Sequence, residues 1–404
     1  MKSRFVSATL GVGGLVLLTA ACARDDWAEG IRPIGGQTGS EIWGTGGVTG
    51  GGSGQGGLSL DAAAGPGDDG AGGAGPGSDA GQGGQSGQGG SPPSNGADTG
   101  TGAQPASLNP AGFRCPSPAG MTGNPLPAMR TATLIRDRFA PLEGPVWVES
   151  QKALYFCEAG SSVTTGRIHK YTPADNRFVV FAEGVGVGGL ALDPEGKLIA
   201  AAHDKQRLSR FDPANGQRSD VAGGSAFMGR PFNQVNDVVV RSDGNMYFSD
   251  PTYQQGGRIG QGVMAFYRLS PTGMVSRIAI ARNPNGVALS PDGMTLYLAS
   301  TEGPALIRFA LGTDGTPMQA TFWRDRTSDG LAVDCAGNLY LSESANGGQI
   351  RVISPTDMPL GSITGLGSGY VTNSAFGGED RKTLFITTNT ALYKITLNLP
   401  GFPN

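Results

Sequence analysis

Short apolar runs separated by Asp-Gly or Ala-Gly-Asn turns recur along the chain from about residue 129. In "NDVVVRSDGNMYFSD", for example, a β-branched run, a turn signal and a second apolar run follow one another, which is typical of two strands joined by a hairpin. No long segment with helical periodicity interrupts the pattern. It therefore predicts an all-β chain of similar units. Six units begin 44 to 49 residues apart, at Glu143, Gly188, Asn236, Asn285, Asp329 and Asn373.

Each unit has room for four short strands, and repeats of this kind with a period of about 40–50 residues indicate a β-propeller. We therefore predict a six-bladed β-propeller over residues 126–404. Residues 130–138 offer a further strand, which we expect to complete the last blade and close the ring, because closure removes exposed sheet edges. A pair of β-sandwiches, the alternative architecture, would not account for six equivalent units.

The residues that begin the six units are expected to form a ring at one mouth of the central channel, because the first strand of each blade runs beside the propeller axis. Five of the six offer a side-chain oxygen, and a divalent cation such as Ca²⁺ takes carboxylate and amide oxygens as ligands. Turn propensity alone would account for Asn or Asp at several of these positions, but not for Glu143. The ring therefore predicts a metal site.

The N-terminal part of the chain reads as an export signal followed by a spacer. Residues 1–21 combine a basic start with an apolar run, which predicts a signal peptide, and "LTAAC" predicts lipidation of Cys22. Residues 22–125 are rich in Gly, Ser and Pro and predict a disordered linker. The expected location is the bacterial cell envelope, as an outer-membrane lipoprotein. Cleavage without lipidation would instead give a periplasmic or secreted protein.

The remaining cysteines fit no zinc motif. With Cys22 acylated, an oxidising compartment leaves three cysteines and room for one intramolecular pair. Cys115 and Cys335 lie in turn-like contexts and are the better disulfide candidates, whereas Cys157 lies in a strand and is expected to be a buried thiol. The sequence does not decide whether the pair forms.

From about residue 140 to residue 397 the chain resembles the SMP-30/gluconolactonase (LRE-like) family of six-bladed propellers. The likeness rests on "LEGPVW", "FNQVNDVVVRSDGNMYFSDPTY", "NPNGVALSPDGMTLYLAS", "SDGLAVD" and "TNSAFGGEDRKTLFITT". The resemblance implies one divalent ion, expected to be Ca²⁺ with Zn²⁺, Mn²⁺ or Mg²⁺ as alternatives, held by Glu143, Asn285 and Asp329. It also implies that Asn236 contacts substrate and reaches the ion. Some members carry an Arg where this chain has Gln234, so the substrate is left open.

The predicted function is metal-dependent hydrolysis of a lactone, with a sugar lactone opened to an aldonic acid. A bound cation would polarise the carbonyl, and Asp329 is the candidate general base. Strand-end geometry adds His203 and Asp250 as candidate substrate contacts, and the resemblance adds Gln234, which occupies the position of the Arg. The chain has no G-x-S-x-G motif that would indicate a serine nucleophile.

Two other functions stay open. One is a non-catalytic tethered propeller that binds a partner or a glycan, and the other is a paraoxonase-like or strictosidine synthase-like ester or lactone hydrolase. A formal net charge of −3 and a pI near 5.5 argue against a nucleic-acid partner. We expect a monomer that contacts the membrane only through its lipid anchor.

Overall fold

The computed structural model describes residues 115–116, 121–254, 259–302, 306–323, 326–344, 347–367 and 369–402, together with the backbone of 31–33. The predicted signal peptide, the lipidation site at Cys22 and most of the predicted linker lie outside these residues. The described residues form strands and turns, with one 3₁₀ turn at Glu149–Gln151. Within this part of the chain, no helix has the length and hydropathy needed to cross a membrane.

The strands follow in chain order. Those of the first half are β1 (Ile31–Pro33), β2 (Thr133–Asp137), β3 (Leu142–Val148), β4 (Ala153–Glu158), β5 (Arg167–Thr172), β6 (Arg177–Glu183), β7 (Leu190–Leu192), β8 (Leu198–Ala202), β9 (Arg207–Phe211), β10 (Arg218–Asp220), β11 (Ala226–Phe227), β12 (Arg230–Pro231), β13 (Val238–Val240) and β14 (Met246–Asp250). Those of the second half are β15 (Ala265–Leu269), β16 (Val275–Ala281), β17 (Pro284–Leu289), β18 (Thr295–Ser300), β19 (Leu306–Leu311), β20 (Pro317–Trp323), β21 (Leu331–Asp334), β22 (Leu339–Glu343), β23 (Gln349–Ile353), β24 (Pro359–Ile363), β25 (Val371–Gly377), β26 (Thr383–Thr388), β27 (Ala391–Thr396) and β28 (Gly401–Phe402).

Six antiparallel sheets make up six blades of a β-propeller, as the repeats predict. The blades begin at the inner strands β3, β7, β13, β17, β21 and β25, and the next strands of each blade follow outwards in chain order. The sixth blade takes its outer strand from the start of the domain, because β2 pairs with β27. The prediction that residues 130–138 close the ring is confirmed by this pairing.

The core lies between adjacent blades, because each blade turns apolar side chains to both of its neighbours. Between blades three and four, for example, Val239 and Phe266 belong to one cluster with Val287 and Leu298. Burial of each such side chain contributes about 1.5–3 kcal/mol. The outermost strands are more exposed, as the alternation of Arg177–Glu183 between half-buried and exposed positions shows.

The two ends of the channel are named here by the direction of the inner strands. The channel mouth is the end at which these strands begin, and the channel floor is the end at which they turn into the first hairpin of each blade. At the floor, β28 pairs with β21 through Val333 and Phe402. The disulfide between Cys115 and Cys335 lies at the same end, with 5.3 Å between the Cα atoms.

Two further observations bear on the predicted domain organisation. Residues 31–33, inside the range predicted as linker, form β1 and pair antiparallel with β16 at the outer edge of blade three, so this short piece is a strand. Cys157 is a buried free thiol in β4, as its strand context predicts.

Candidate functional site

Residues from five blades meet at the channel mouth. Glu143, Asn285 and Asn373 lie near the starts of inner strands. Asn236 and Asp329 lie two residues before β13 and β21, and each donates its backbone N–H to the second strand of its blade. Three of the inner strands carry a shift in register near these positions. A bulge of this kind re-aims side chains, and here it occurs where the strands reach the mouth.

Two carboxylates from different blades form the acidic centre of the mouth. Burial raises the pKa of Glu143 well above its ordinary value, and the negative charges of Asp329 and Asp237 raise it further. Burial and the charge of Asp237 likewise raise the pKa of Asp329. Each carboxyl therefore resists ionisation while its neighbour is charged, which is the electrostatic condition that a bound cation relieves.

Asp237 is a third buried carboxyl at this end, but its oxygens are already engaged. One accepts a hydrogen bond from the N–H of Val238 at 2.9 Å, and the other accepts from the N–H of Val287 in blade four at 3.0 Å. Burial nevertheless raises its pKa to about 7. Asp237 therefore joins blades three and four and acts on the mouth through its charge.

A chain of side-chain amides ends at Asp329. The Gln254 amide donates to Asn236 Oδ1 at 2.7 Å, and Asn236 Nδ2 donates to Asn285 Oδ1 at 2.6 Å. Asn285 in turn forms a side-chain hydrogen bond with Asp329. The Oδ1 atom of Asp329 is buried and has no hydrogen-bond partner. An orphaned carboxylate oxygen at such a position is unusual and points to a missing ligand.

Asn373 makes the corresponding contact with the other carboxylate. Its side chain forms a hydrogen bond with Glu143. The sequence places Asn373 in the ring, but its residue type alone gives it no role distinct from those of the other ring positions.

Tyr253 covers part of the mouth. The residue is 40 % exposed, but its hydroxyl donates to the carbonyl of Pro284 at 3.4 Å. Burial of the hydroxyl, followed by the charges of Asp329 and Glu143, raises the pKa of Tyr253 well above its ordinary value. The phenol therefore lies between the carboxylates and solvent.

Two predicted substrate contacts have structural partners instead. Asp250 is fully buried, and its carboxylate oxygens accept from the backbone N–H groups of Asn233 and Gln234 at 2.9 and 2.8 Å. The side-chain oxygen of Gln234 accepts from the N–H of Gln254. These contacts argue against direct substrate binding by Asp250 or Gln234, because Asp250 holds the backbone that leads into β13 and Gln234 holds the backbone of Gln254.

His203 lies at the mouth end of blade two, directly after β8, and its charged neighbours are Asp204 and Arg218. Burial lowers its pKa to about 4, so the imidazole is neutral at pH 7. Its Nδ1 atom is buried without a hydrogen-bond partner. His203 therefore retains an open polar atom, but its contacts do not include the carboxylate pair.

Gln254 is the site residue that sequence reasoning missed. It follows the quoted "SDPTY" turn by one position and belongs to no repeat, so periodicity gives no signal for it. The sequence gives one general reason to expect this loop near the site: the second strand of each blade ends at the channel mouth.

The donor set fits a hard divalent cation. Glu143 and Asp329 supply two carboxylates, and Asn285 and Asn236 supply amides, which together are oxygen ligands of the kind Ca²⁺ takes. The orphaned Asp329 Oδ1 is the observation that supports this fit. The described residues contain no group of three or more His, Cys, Asp or Glu side chains arranged to hold a metal, so amide oxygens are needed to complete the site.

The fold and the site together define a class of protein: six-bladed propellers with paired carboxylates and amides at the channel mouth. The model of the SMP-30/gluconolactonase/LRE-like region matches residues 142–390, and the chain belongs to this family.

Proteins named as lactonases are among those similar to this chain. The chain is 30 % identical over 286 residues to a gluconolactonase of Zymomonas mobilis, covering 63 % of this chain and 77 % of the relative. It is 27 % identical over 270 residues to a pentonolactonase of Haloferax volcanii, covering 64 % and 85 %. Among solved structures, a gluconolactonase of Xanthomonas campestris matches with a TM-score of 0.58 and 27 % identity, covering 68 % of this chain and 91 % of that chain.

Proposed function

We propose that this protein hydrolyses a lactone, in the manner of a gluconolactonase, at a divalent-cation site in the channel mouth. The observation that carries the proposal is the pairing of Glu143 and Asp329 from blades one and five, with Asp329 Oδ1 left without a partner. Relatives named gluconolactonase and pentonolactonase support the substrate class.

Glu143, Asp329, Asn285 and Asn236 would hold the ion, and Ca²⁺ is the expected metal. When bound, such an ion polarises a lactone carbonyl and stabilises the negative charge that develops on its oxygen. The protein contributes a pre-built ring of oxygens on the starts of rigid inner strands, so little rearrangement opposes binding.

The other side chains orient and activate the reactants. Asp329 would accept a proton from the attacking water, as a general base beside the ion. The Asn236 and Gln254 amides would form hydrogen bonds with substrate hydroxyls. Tyr253 would limit the access of bulk water to the channel mouth. His203, neutral at pH 7, would offer Nδ1 to a substrate group at the blade-two side of the mouth.

A lactone panel tests the proposal directly. Sugar δ- and γ-lactones, aliphatic lactones and aryl esters would be assayed with Ca²⁺ and with chelator. We expect turnover of sugar lactones that chelator abolishes and Ca²⁺ restores. Turnover of aryl esters alone would favour a paraoxonase-like hydrolase. An absence of turnover in every arm would favour a propeller that binds a glycan or a partner without catalysis.

We further propose that the propeller is exported and held at the cell envelope by acylation of Cys22. The supporting observation is the basic, apolar and small-residue order of residues 1–22 in front of a long Gly-rich segment. Cys22→Ser should move the protein from the membrane fraction to the soluble fraction. Membrane association of the mature variant would contradict the anchor. We expect the released protein to be a monomer, because the proposed site draws its residues from one chain.

A further inference from the structure

Asn373 is held in one orientation at the channel mouth. Its Oδ1 accepts a hydrogen bond from the N–H of Ser374 at 2.8 Å, and the side chain is only 7 % exposed. Since the oxygen is taken by the backbone, the Nδ2 group is the part of the amide that is free to donate to Glu143. Asn373 therefore faces the carboxylate as a hydrogen-bond donor.

The neighbouring blade makes room for this amide through a glycine. A Cβ atom at Gly330 would lie 2.0 Å from Cγ and 2.4 Å from Nδ2 of Asn373, so any side chain there would have to displace the amide. Gly330 also donates its N–H to the carbonyl of Thr372 at 2.6 Å, and Thr387 Oγ1 donates to the carbonyl of Asn373 at 3.1 Å. The backbone on both sides of the amide is thus fixed.

The same short segment presents the second carboxylate of the mouth, because Gly330 directly follows Asp329. Close packing of blades five and six at Gly330 therefore sets the position of Asn373 and, through it, the position of Glu143 relative to Asp329. A side chain at position 330 would disturb this arrangement without changing any polar group.

We propose that Asn373 is a positioning residue that fixes the rotation of the Glu143 carboxylate and thereby sets the affinity of the channel mouth for a divalent cation. The inference rests on the proposed function, in which Glu143 is a ligand. One donated hydrogen bond uses part of the acceptor capacity of a carboxylate and leaves the rest for a cation. Loss of such a supporting hydrogen bond typically weakens metal binding by about 10- to 100-fold.

The chain provides a matched control at the channel floor. Asn338 is equally buried, at 7 % exposure, and its amide also donates to a buried carboxylate, Asp334 Oδ2, at 2.8 Å. Loss of either amide should lower stability to a similar extent. Only the loss of Asn373 should change cation binding.

The experiment measures Ca²⁺ affinity calorimetrically, and the melting temperature, for the wild-type chain and three variants. Asn373→Leu preserves side-chain volume and removes the donor, Gly330→Ala displaces the amide without removing it, and Asn338→Ala is the control. We expect Asn373→Leu and Gly330→Ala to raise the Kd for Ca²⁺ by about 10- to 100-fold. Asn338→Ala should lower the melting temperature and leave the Kd unchanged.

The outcomes separate this inference from the function on which it rests. If wild-type protein binds Ca²⁺ and Asn373→Leu binds it equally well, the positioning role is wrong and the metal site stands. Should Asn373→Leu fail to fold, Gly330→Ala decides in the same way, because it keeps every polar group. If wild-type protein binds no divalent cation, the metal site and the positioning role fall together.

Discussion

Asp334 ends the inner strand β21, Asp329 lies two residues before its start, and the two acids have opposite surroundings. At the channel floor, Asp334 accepts hydrogen bonds from the N–H groups of Ala336 and Asn338, from the Asn338 amide and from the hydroxyl of Tyr340, all at 2.8–3.0 Å. At the mouth, Asp329 has one amide partner and a buried oxygen with none.

This difference indicates that Asp334 stabilises the fold, whereas Asp329 is available to bind a ligand. The donors around Asp334 come from its own hairpin, so the local sequence "DCAGN" both makes the turn and satisfies the acid. The surroundings of Asp329 come from other blades and supply one amide partner, Asn285, together with the negative charge of Asp237. A buried carboxylate oxygen that no donor reaches costs stability, which is the expected signature of a functional position.

The largest expected effect is on lactone turnover, when Asp329 is replaced by its amide. Asp329→Asn should lower lactone turnover by about 10²- to 10⁴-fold, because it removes the proposed base and a charged ligand. In the absence of metal it should not lower stability, since it relieves charge repulsion with Glu143 and Asp237. Turnover and chemical unfolding would be measured together.

Asp334→Asn is the matched control for that exchange. It should destabilise the propeller and leave turnover per folded molecule unchanged, because its partners all serve the hairpin at the floor. Loss of turnover in Asp334→Asn equal to that in Asp329→Asn would show that the two ends are not functionally distinct.

The disulfide offers a second way to perturb the floor alone. Cys335→Ser opens a crosslink between residues 220 positions apart and should reduce the free energy of unfolding by about 2–4 kcal/mol. Ca²⁺ affinity and turnover of the folded protein should stay at wild-type values. A change in Ca²⁺ affinity would indicate that the floor controls the geometry of the mouth.

The mouth should also make stability depend on pH. Burial raises the pKa of Asp237 to about 7, and burial together with Asp237 raises that of Asp329. The folded protein therefore holds protons that the unfolded chain releases, so this stabilisation is full below about pH 4 and is lost as pH rises through 7. His203 contributes in the opposite direction, but only as pH falls from about 6.5 towards 4.

Between about pH 6.5, where the His203 contribution is complete, and about pH 8, the pKa to which burial and Asp237 raise Asp329, metal-free protein should thus become progressively less stable in chemical unfolding. Ca²⁺ should flatten this decline, because a bound cation favours the ionised carboxylates of the folded state. A pH profile unaffected by Ca²⁺ would argue against a cation at these carboxylates.

The smallest expected effect concerns the amide chain. Gln254→Ala removes one neutral hydrogen bond to Asn236 and should raise KM by about 2- to 10-fold with little change in kcat. Gln261→Ala is the control, because the Gln261 amide donates to backbone carbonyls such as that of Arg230, away from the carboxylates. Equal KM changes in the two variants would mean that Gln254 acts only by holding its loop.

The repeat pattern predicts the architecture because each blade is formed by consecutive strands, and the residues between those strands determine the hairpin turns. The same periodicity places Glu143, Asn285 and Asp329 together, since equivalent positions of a closed ring must converge. It also gives a strand that closes the sixth blade, which the pairing of β2 with β27 confirms.

What the sequence did not predict depends on contacts that lie outside the repeat. Asp250 looks equivalent to other strand ends, but the backbone of Asn233 and Gln234 folds back over it and takes both oxygens. The pairing of β28 with an inner strand joins the end of the domain to blade five and breaks the chain order of the repeats. The donor role of Asn373 requires the missing Cβ of Gly330 in another blade.

The central claim is that the mouth, and not the floor, holds a cation between carboxylates. The most direct measurement is an anomalous difference map from crystals of the protein grown with Mn²⁺, which can stand in for Ca²⁺ at oxygen ligands. The account predicts one peak at coordination distance from carboxylate oxygens of Glu143 and Asp329. A map with no peak there, or with its strongest peak at Asp334, would contradict it.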